Sequence, residues 1–280
     1  FDNPRSDWGY FAHCDDIFLK KTFQENDKCK IAVMIDAGKC SSNKFQKCNI
    51  KNTIIKTIRI ATYPDKLNLA FKLCEDLKDK GYEILINFMA ISKYKKEDFE
   101  KIKNWKNKNI LKSAYFADSF GAFLPEDVTL YQNKLKSLGF ENVSFHAHNN
   151  LQMAFANSIK AIENNFYSID ASIYGMGRGA GILPMDLILG YFNKKEIYKY
   201  NPIPYFNVIE KYYYELSNNI QWGYQIPSLI GGFQNIHPNY IKELFDKKIK
   251  PDKIWNITDK LKEKETISYN SNVINELLNN

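Results

Sequence analysis

A regular repeat of short strand-forming runs constrains the fold of this chain more than any other feature. Six runs rich in β-branched and aromatic residues begin at intervals of 27, 25, 30, 30 and 26 residues, at positions 30–38, 57–62, 82–90, 112–121, 142–150 and 168–177. This spacing is typical of units in which a strand is followed by a helix and then by a parallel strand. The sequence therefore predicts an α/β fold with a parallel sheet.

The segments between the runs have helical spacing. In DKLNLAFKLCEDLKDKG, Leu69, Leu73 and Leu77 recur at every fourth position, and Gly81 follows as a C-terminal cap. After the fifth run, a second set of residues falls on one face of a helix: Leu151, Ala154, Phe155, Ser158, Ile159 and Ile162. We therefore expect a helix after each strand.

Two closures of such a sheet compete, an open doubly wound sheet and a (β/α)8 TIM barrel. Polar and glycine residues follow many of the runs, which favours the barrel because barrel enzymes build their sites at the carboxyl ends of the strands. Six strands do not close that barrel, and the chain begins with Phe. We expect two further units upstream, about fifty residues. Residues 1–193 are then the catalytic barrel domain (strands three to eight) and 194–280 a helical C-terminal extension.

Composition narrows the class of protein. The 280 residues are 44% hydrophobic, which is enough for a substantial core. The net charge is +7, but lysines alternate with acidic residues, as in KKEDFEKIKNWKNK, so we expect no nucleic-acid partner. No apolar run is long enough to span a membrane, and the five cysteines form no CxxC motif. We expect a cytoplasmic protein without a membrane partner, and a homodimer is an open expectation.

The strongest chemical signal is the pair His146 and His148, in FHAHNN at the end of the fifth run. Side chains at i and i+2 of a strand point to the same face, about 6 to 7 Å apart. Two imidazoles at that spacing can chelate one divalent cation. Two ligands are too few for a catalytic metal, so at least one carboxylate is needed, and Asp118 is a candidate by position.

Two late motifs carry a family resemblance. FHAHNNLQMAFANSIKAIENN and IDASIYGMGRGAGILPMDLIL resemble strands seven and eight of the metal-dependent aldolase, acyltransferase and lyase superfamily. Its members include 4-hydroxy-2-oxovalerate aldolase, hydroxymethylglutaryl-CoA lyase, isopropylmalate synthase and the pyruvate carboxyltransferase domain. ADSFGAFLPEDV resembles the strand-six motif of the same family, and the aldolase-type branch is the most similar one.

The resemblance implies a manganese, magnesium, zinc or cobalt ion held by His146, His148 and the aspartate of an Arg-Asp-Gly motif on strand one. That motif is not in the sequence, and Arg5-Ser6-Asp7 is not assigned to it, so we expect the third ligand upstream of Phe1. Ile182 stands where the family pattern has asparagine. By the same resemblance Ser119 binds the substrate carboxylate, and Asp118 and Asn150 orient ligands or substrate.

Two further features are candidates for substrate binding. Arg59 alternates with Ile58 and Ile60, so it faces away from both and can either bind an anionic substrate or form a structural ion pair with a carboxylate such as Asp36. The glycine-rich segment 175–181 can line an anion site through its backbone, with Gly177, Arg178 and Gly179 as candidates, or it can be a tight turn without a ligand.

The sequence thus predicts a metal-dependent aldolase or lyase that breaks or forms a C–C bond next to a 2-oxo acid, with a 4-hydroxy-2-oxo acid as the simplest substrate. Two alternatives stay open: a Claisen-type acyltransferase that uses an acyl-CoA, and a noncatalytic barrel that serves as a binding or scaffold subunit. His237, in NIHPNY, supplies an acid or base only if its segment folds over the site.

Overall fold

The computed structural model describes residues 9–23, 29–49, 53–197, 200–264 and 269–279. The Arg5-Ser6-Asp7 segment lies outside these described residues. No helix in the described ranges is long and apolar enough to cross a membrane.

Strands occupy all six predicted positions. They are β1 (Ile31–Asp36), β2 (Ile55–Thr62), β3 (Glu83–Phe88), β4 (Leu111–Asp118), β5 (Val143–Ala147) and β6 (Ser168–Ile169). They follow one another in the sheet in the order of the chain, and the pairs from β1 to β4 are parallel. The prediction of an α/β fold with a parallel sheet is confirmed, whereas closure into eight strands and the two upstream units stay predictions.

Helices account for most of the remaining described chain. They are α1 (Tyr10–His13), α2 (Asp16–Thr22), α3 (Leu67–Asp79), α4 (Lys96–Asn104), α5 (Pro125–Ser137), α6 (Ala154–Glu163), α7 (Met185–Lys194), α8 (Ile203–Val208), α9 (Tyr214–Asn219), α10 (Ile226–Gln234), α11 (Pro238–Asp246), α12 (Pro251–Glu263) and α13 (Ser271–Asn279). A π-helical turn at Ile209–Tyr213 joins α8 to α9. The predicted helical C-terminal part is therefore present, and the domain boundary at residue 193 stays a prediction.

The first repeat departs from the expected pattern. Between β1 and β2 the described residues, 37–49 and 53–54, contain only the 3-10 turn Ser42–Lys44 and no α-helix. The segment is rich in Ser, Asn and Lys, and Gly38 adopts a φ of +88°. Without an apolar stripe to bury, a helix there gains little from packing, so a loop forms instead.

The chain divides into two compact units. The first comprises residues 9–116 together with Asn133–Ser144, and the second comprises Ala117–Gln132 together with residues 145–279. In the first unit the central strands are buried on both faces, as parallel strands covered by helices require. Their fully buried side chains include Ile58, Ile60, Ile84, Ile86 and Phe88.

Helix α3 buries a face that the sequence located only in part. Leu73 and Leu77 are buried as expected, but Leu69 is 48% exposed. Positions four residues apart drift by about 40° around a helix, so three such positions span a wide arc. The buried face is centred near Ala70 and Cys74, which are fully buried, and Leu69 falls outside it.

The second unit has a helical core of its own. Side chains from α10 to α13 pack into one cluster that includes Ile230, Tyr240, Leu244, Ile254 and Leu261. In α6 the buried positions are Ala154, Asn157, Ser158 and Ala161, so the helix is rotated relative to the predicted face. The small side chains allow close packing there, and Asn157 Nδ2 donates to the carbonyl of Phe123 at 2.8 Å.

We predict that Leu77→Ala lowers the free energy of unfolding by about 3 kcal/mol, because it leaves a cavity in the core of the first unit. Leu69→Ala, on the same helix but half exposed, is the matched control and should change it by less than about 0.5 kcal/mol. Urea denaturation followed by circular dichroism measures both. Equal losses in the two variants would contradict the assignment of the buried face.

Candidate metal and active site

The two predicted imidazoles lie side by side in the second unit. His146 is in β5, and His148 follows its end, where it forms an isolated bridge with Ile182. The ring centroids are 4.8 Å apart, and the ring planes meet at 79°. Ile182, which replaces the asparagine of the family pattern, is thus paired directly with one of the candidate ligands.

Each imidazole is held through its Nδ1 atom. His146 Nδ1 lies 2.7 Å from Asp170 Oδ2, and His148 Nδ1 donates to the main-chain carbonyl of Asp118 at 2.8 Å. A carboxylate and a carbonyl can only accept, so the proton of each neutral ring is on Nδ1 and the lone pair on Nε2. Carboxylate and carbonyl partners of this kind orient metal-binding histidines.

Burial keeps His148 neutral. The pKa of His148 is lowered to about 3, and desolvation by burial is the largest cause. The nearby His146, Arg178 and His237 act in the same direction, and the bond to Asp118 opposes them. A neutral imidazole is the form that binds a metal. His148 is therefore ready to bind a cation throughout the neutral pH range.

Asp118 contributes to the site through its main chain. Its carboxylate accepts from the N–H groups of Ala122, at 2.9 Å, and Phe123, at 3.0 Å, and so shapes the turn after β4. Burial raises the pKa of Asp118 to about 7, although these two N–H donors favour the charged form. The carboxylate thus holds its own loop and the carbonyl accepts from His148, and the ligand and orienting roles of Asp118 stay predictions.

Asn150 and Ser119 are both buried, at 4% and 6% exposure. Asn150 Nδ2 donates to the carbonyl of Ser228 at 3.1 Å and thereby ties the end of the FHAHNN segment to α10. Gly121, with a φ of +60°, leaves the space for it, since a Cβ there would lie 2.6 Å from the Asn150 backbone nitrogen. The catalytic roles of Asn150 and Ser119 stay predictions.

The glycine-rich loop closes on itself. Ile182 N donates to the carbonyl of Gly175 at 3.2 Å, and a Cβ at Gly181 would lie 2.1 Å from that carbonyl oxygen. Asn149 N in turn donates to Gly181 O at 3.0 Å, which joins the loop to the segment that carries the imidazoles. The anion-binding role of Gly177 and Gly179 stays a prediction.

The two candidate arginines have different surroundings. Arg178 is exposed, and its Nη1 donates to Asn239 Oδ1 at 3.0 Å. Arg59 belongs to the first unit, where its guanidinium stacks 3.8 Å from the centroid of the Tyr115 ring. Asp36, the suggested ionic partner of Arg59, forms an ion pair with Lys39 at 2.9 Å. Substrate binding by Arg59 stays a prediction.

His237 is a buried residue at the start of α11. Its Nδ1 accepts from the backbone N–H of Asn239 at 3.2 Å, so the proton of the neutral ring is on Nε2. Burial, with the nearby Arg178 as a smaller cause, lowers the pKa of His237 to about 4. The ring thus caps a helix, and an acid or base role for it stays a prediction.

The described residues fit part of a divalent-metal site. The two oriented imidazoles supply a nitrogen pair suited to zinc, manganese or cobalt. Within the described ranges no group of three or more His, Cys, Asp or Glu side chains could hold an ion. A third ligand therefore stays a prediction.

Sequence reasoning missed Asp170, which orients His146. A signal was present: Asp170 directly follows β6, so it lies at the carboxyl end of the strand after the one that carries His146. In parallel α/β folds, side chains at neighbouring carboxyl ends meet at one edge of the sheet.

Comparison with known proteins supports the class of site. Residues 12–198 match the HMGL-like family model, so the chain belongs to the HMGL-like family. Among curated relatives, 4-hydroxy-2-oxovalerate aldolase of Marinomonas sp. is 26% identical, over 68% of this chain and 56% of its own length. Oxaloacetate decarboxylase of Mycobacterium tuberculosis is 24% identical, over 67% and 55%.

A solved structure extends the similarity. The N-terminal domain of a candidate aldolase from Bacteroides vulgatus superposes with a TM-score of 0.75 at 28% identity, covering 87% of this chain and 81% of that domain. The carboxyltransferase domain of Rhizobium etli pyruvate carboxylase shares the fold, with a TM-score of 0.59 at 13% identity. The chain spans a little over half the length of the curated relatives above.

We predict that Asp170→Asn weakens divalent-metal binding by about 10- to 100-fold, because the amide no longer fixes His146 with a charged acceptor. Calorimetric titration with zinc or cobalt measures the change, and Asp259→Asn on the exposed surface of α12 is the matched control. If Asp170→Asn binds the metal with unchanged affinity while His146→Ala loses metal binding, the orienting role of Asp170 is contradicted.

The lowered pKa of His237 predicts a pH dependence of stability. Between about pH 6.5 and pH 4 the unfolded chain binds a proton at this residue that the folded chain does not, so the free energy of unfolding falls as the pH falls. His237→Gln keeps an acceptor for Asn239 and removes the titration. The free energy of unfolding of this variant should fall less than that of the wild-type protein over this pH range, and urea denaturation at several pH values measures both. Parallel pH profiles of the two proteins would rule the effect out.

Proposed function

We propose that the protein catalyses divalent-metal-dependent cleavage or formation of a C–C bond next to a 2-oxo acid, in an aldol-type reaction. The observation that carries this proposal is the pair of imidazoles, 4.8 Å apart, each held at Nδ1 and each left with a lone pair on Nε2. In a neutral imidazole the Nδ1 bond uses only the donor, and the Nε2 lone pair is the atom that can bind a cation.

The relatives support the same class of reaction. One is named for 4-hydroxy-2-oxovalerate and another for oxaloacetate, and both compounds are 2-oxo acids. Aldol cleavage of the first and decarboxylation of the second both break the bond between the third and fourth carbons and leave pyruvate. The shared requirement is stabilisation of negative charge on the 2-oxo group.

His146 and His148 would hold the cation. When bound, a divalent metal supplies Lewis-acid stabilisation of the charge that develops on the 2-oxo oxygen. The protein's own task would be to direct both Nε2 atoms at the ion, and the Nδ1 bonds to Asp170 and to the Asp118 carbonyl support that role. Ser119 is our candidate for binding the substrate carboxylate, with Asn150 to orient the substrate.

Decarboxylation is the second candidate function, favoured by the relative named oxaloacetate decarboxylase. Acyl transfer from an acyl-CoA and a noncatalytic scaffold remain as alternatives. We further infer a cytoplasmic location. We also infer a homodimeric assembly, and the size of the particle in solution can test the assembly.

We predict that the metal-loaded protein releases pyruvate from 4-hydroxy-2-oxovalerate and that His146→Ala and His148→Ala lower kcat by at least about 100-fold, because each removes a metal ligand. A coupled lactate dehydrogenase assay detects the pyruvate, and metal analysis of each variant shows whether binding is lost. Glu163→Gln, at the exposed C-terminal end of α6, is the control.

The outcomes separate the candidates. Pyruvate from oxaloacetate alone would favour decarboxylation, and free thiol from acetyl-CoA would favour acyl transfer. If the folded, metal-loaded protein forms no product from 4-hydroxy-2-oxovalerate, oxaloacetate or acetyl-CoA, an enzymatic role is contradicted.

A further inference from the structure

The second unit contains a cavity that the candidate metal site does not use. Its volume is about 330 Å³, at the lower end of the range for small-molecule sites. Three residues of the glycine-rich loop, Gly177, Arg178 and Gly179, form one wall, and Pro227 and Ser228, in the first turn of α10, form another. Neither imidazole lines the cavity, so its own walls determine what it can bind.

Ser228 is the side chain that points to a ligand. It is 6% exposed, and no group in the described part of the chain forms a hydrogen bond with its hydroxyl. A Cβ at Gly179 would lie 3.1 Å from Ser228 Oγ, so this hydroxyl is directed toward the glycine-rich loop, which lines the same cavity. A buried hydroxyl without a partner is costly, and a ligand that accepts from it removes that cost.

Backbone N–H groups add to this hydroxyl. The N-cap residue of α10, Gln225, makes no side-chain capping bond, and the N–H of Ser228 has no acceptor within the described residues. On the loop, the N–H groups of Gly177 and Gly179 also lack an acceptor in the described ranges. The N–H groups at the start of a helix carry partial positive charge, and a glycine-rich turn can present its N–H groups to an anion. The cavity therefore has hydrogen-bond donors on two walls.

Two hydrogen bonds hold these donors in place. Asn150 Nδ2 donates to the carbonyl of Ser228 at 3.1 Å, and Gly223 N donates to the carbonyl of Gly179 at 3.1 Å. Gly179 has a φ of +61°, a conformation that favours glycine, so the loop can approach α10 without a side chain in the way. Because the donors are fixed before a ligand binds, little conformational entropy is lost on binding.

The charged side chains of the walls already have partners. The Arg178 guanidinium donates to the amide oxygen of Asn239 at 3.0 Å, and Lys242 forms an ion pair with Asp246. Recognition of a ligand therefore falls to the Ser228 hydroxyl and the backbone N–H groups, and it does not require any of these ions.

Donors on two walls suit a group with several acceptor oxygens. The oxygens of a phosphate point in tetrahedral directions, so they can accept from the helix and the loop together, whereas the two oxygens of a carboxylate lie in one plane. Apolar side chains, among them Ile220, Ile241 and Phe245, line much of the rest of the cavity and suit a short carbon chain. We propose that the cavity binds a small phosphate monoester, with the phosphate at the start of α10. The proposal goes beyond the C–C reaction proposed above and does not depend on it.

Calorimetric titration of the full chain in phosphate-free buffer tests the proposal, with n-propyl phosphate as the probe. We expect this ester to bind at least about tenfold more tightly than butyrate, because a carboxylate engages fewer of the donors. It should also bind at least about fivefold more tightly than inorganic phosphate, because its carbon chain contacts the apolar walls. No binding of n-propyl phosphate, or an affinity no higher than that of butyrate or of inorganic phosphate, would overturn the proposal.

Ser228→Ala and Ser158→Ala are matched variants. Each removes from a helix of the second unit a buried hydroxyl that has no partner in the described chain, but Ser158, in α6, does not line the cavity. Ser228→Ala should weaken the binding of n-propyl phosphate by about tenfold or more, the usual effect of losing a hydrogen bond to a charged group. Ser158→Ala should weaken it by less than about twofold. Circular dichroism checks that both variants fold, and equal affinities of the two for n-propyl phosphate would contradict the site.

Phe245→Ala tests the position of the carbon chain. Phe245 is 51% exposed, so its replacement should leave the fold intact. We expect Phe245→Ala to weaken the binding of n-propyl phosphate by about threefold or more and that of inorganic phosphate by less than about twofold, because only the ester has a carbon chain to contact this ring. An equal loss for both ligands would show that the chain does not lie against this wall and would overturn the assignment.

Discussion

The candidate site depends on two hydrogen bonds that fix the Nδ1 atoms of His146 and His148. Without them each ring could rotate about its side-chain torsions or exchange tautomers. The two acceptors differ in kind. The Asp170 carboxylate carries a charge that strengthens its bond, whereas the Asp118 carbonyl is neutral and owes its position to the backbone.

The position of the Asp118 carbonyl follows from the turn after β4. The carboxylate of the same residue accepts from Ala122 and Phe123 and thereby fixes the turn, and Gly121 permits the approach of Asn150. The loop after β6 is constrained in a similar way, because Gly181 packs against the Gly175 carbonyl and accepts from Asn149. Both loops therefore contact the segment that carries the imidazoles. A side chain added at Gly121 or Gly181 would displace His146 and His148 without touching them.

The sequence predicted those parts of the fold and site that depend on local periodicity. The spacing of the runs located all six strands, and the two-residue alternation of a strand placed both histidines together. Features that depend on tertiary packing were harder to predict. The helix expected between β1 and β2 is absent from the described residues, the buried faces of α3 and α6 are rotated, and Asp170 was not recognised as a partner of His146. The missing helix reflects a segment without an apolar stripe. The buried helix faces and the Asp170–His146 pair are decided by contacts between residues far apart in the chain, which periodicity does not encode.

If the two imidazoles hold a divalent cation, as proposed above, charge balance indicates what kind of third ligand the ion would need. Two neutral imidazoles leave the double positive charge of a divalent cation uncompensated, and Arg178 and His237 are close enough to lower the pKa of His148. The Asp170 carboxylate contacts the outer nitrogen of a ligand, and that of Asp118 is engaged by backbone N–H groups, so neither is placed to neutralise the ion directly. A buried cation is costly without a charged partner. A carboxylate from outside the described residues is therefore the ligand that the electrostatics favour, and a neutral side chain such as Ile182 could not take its place.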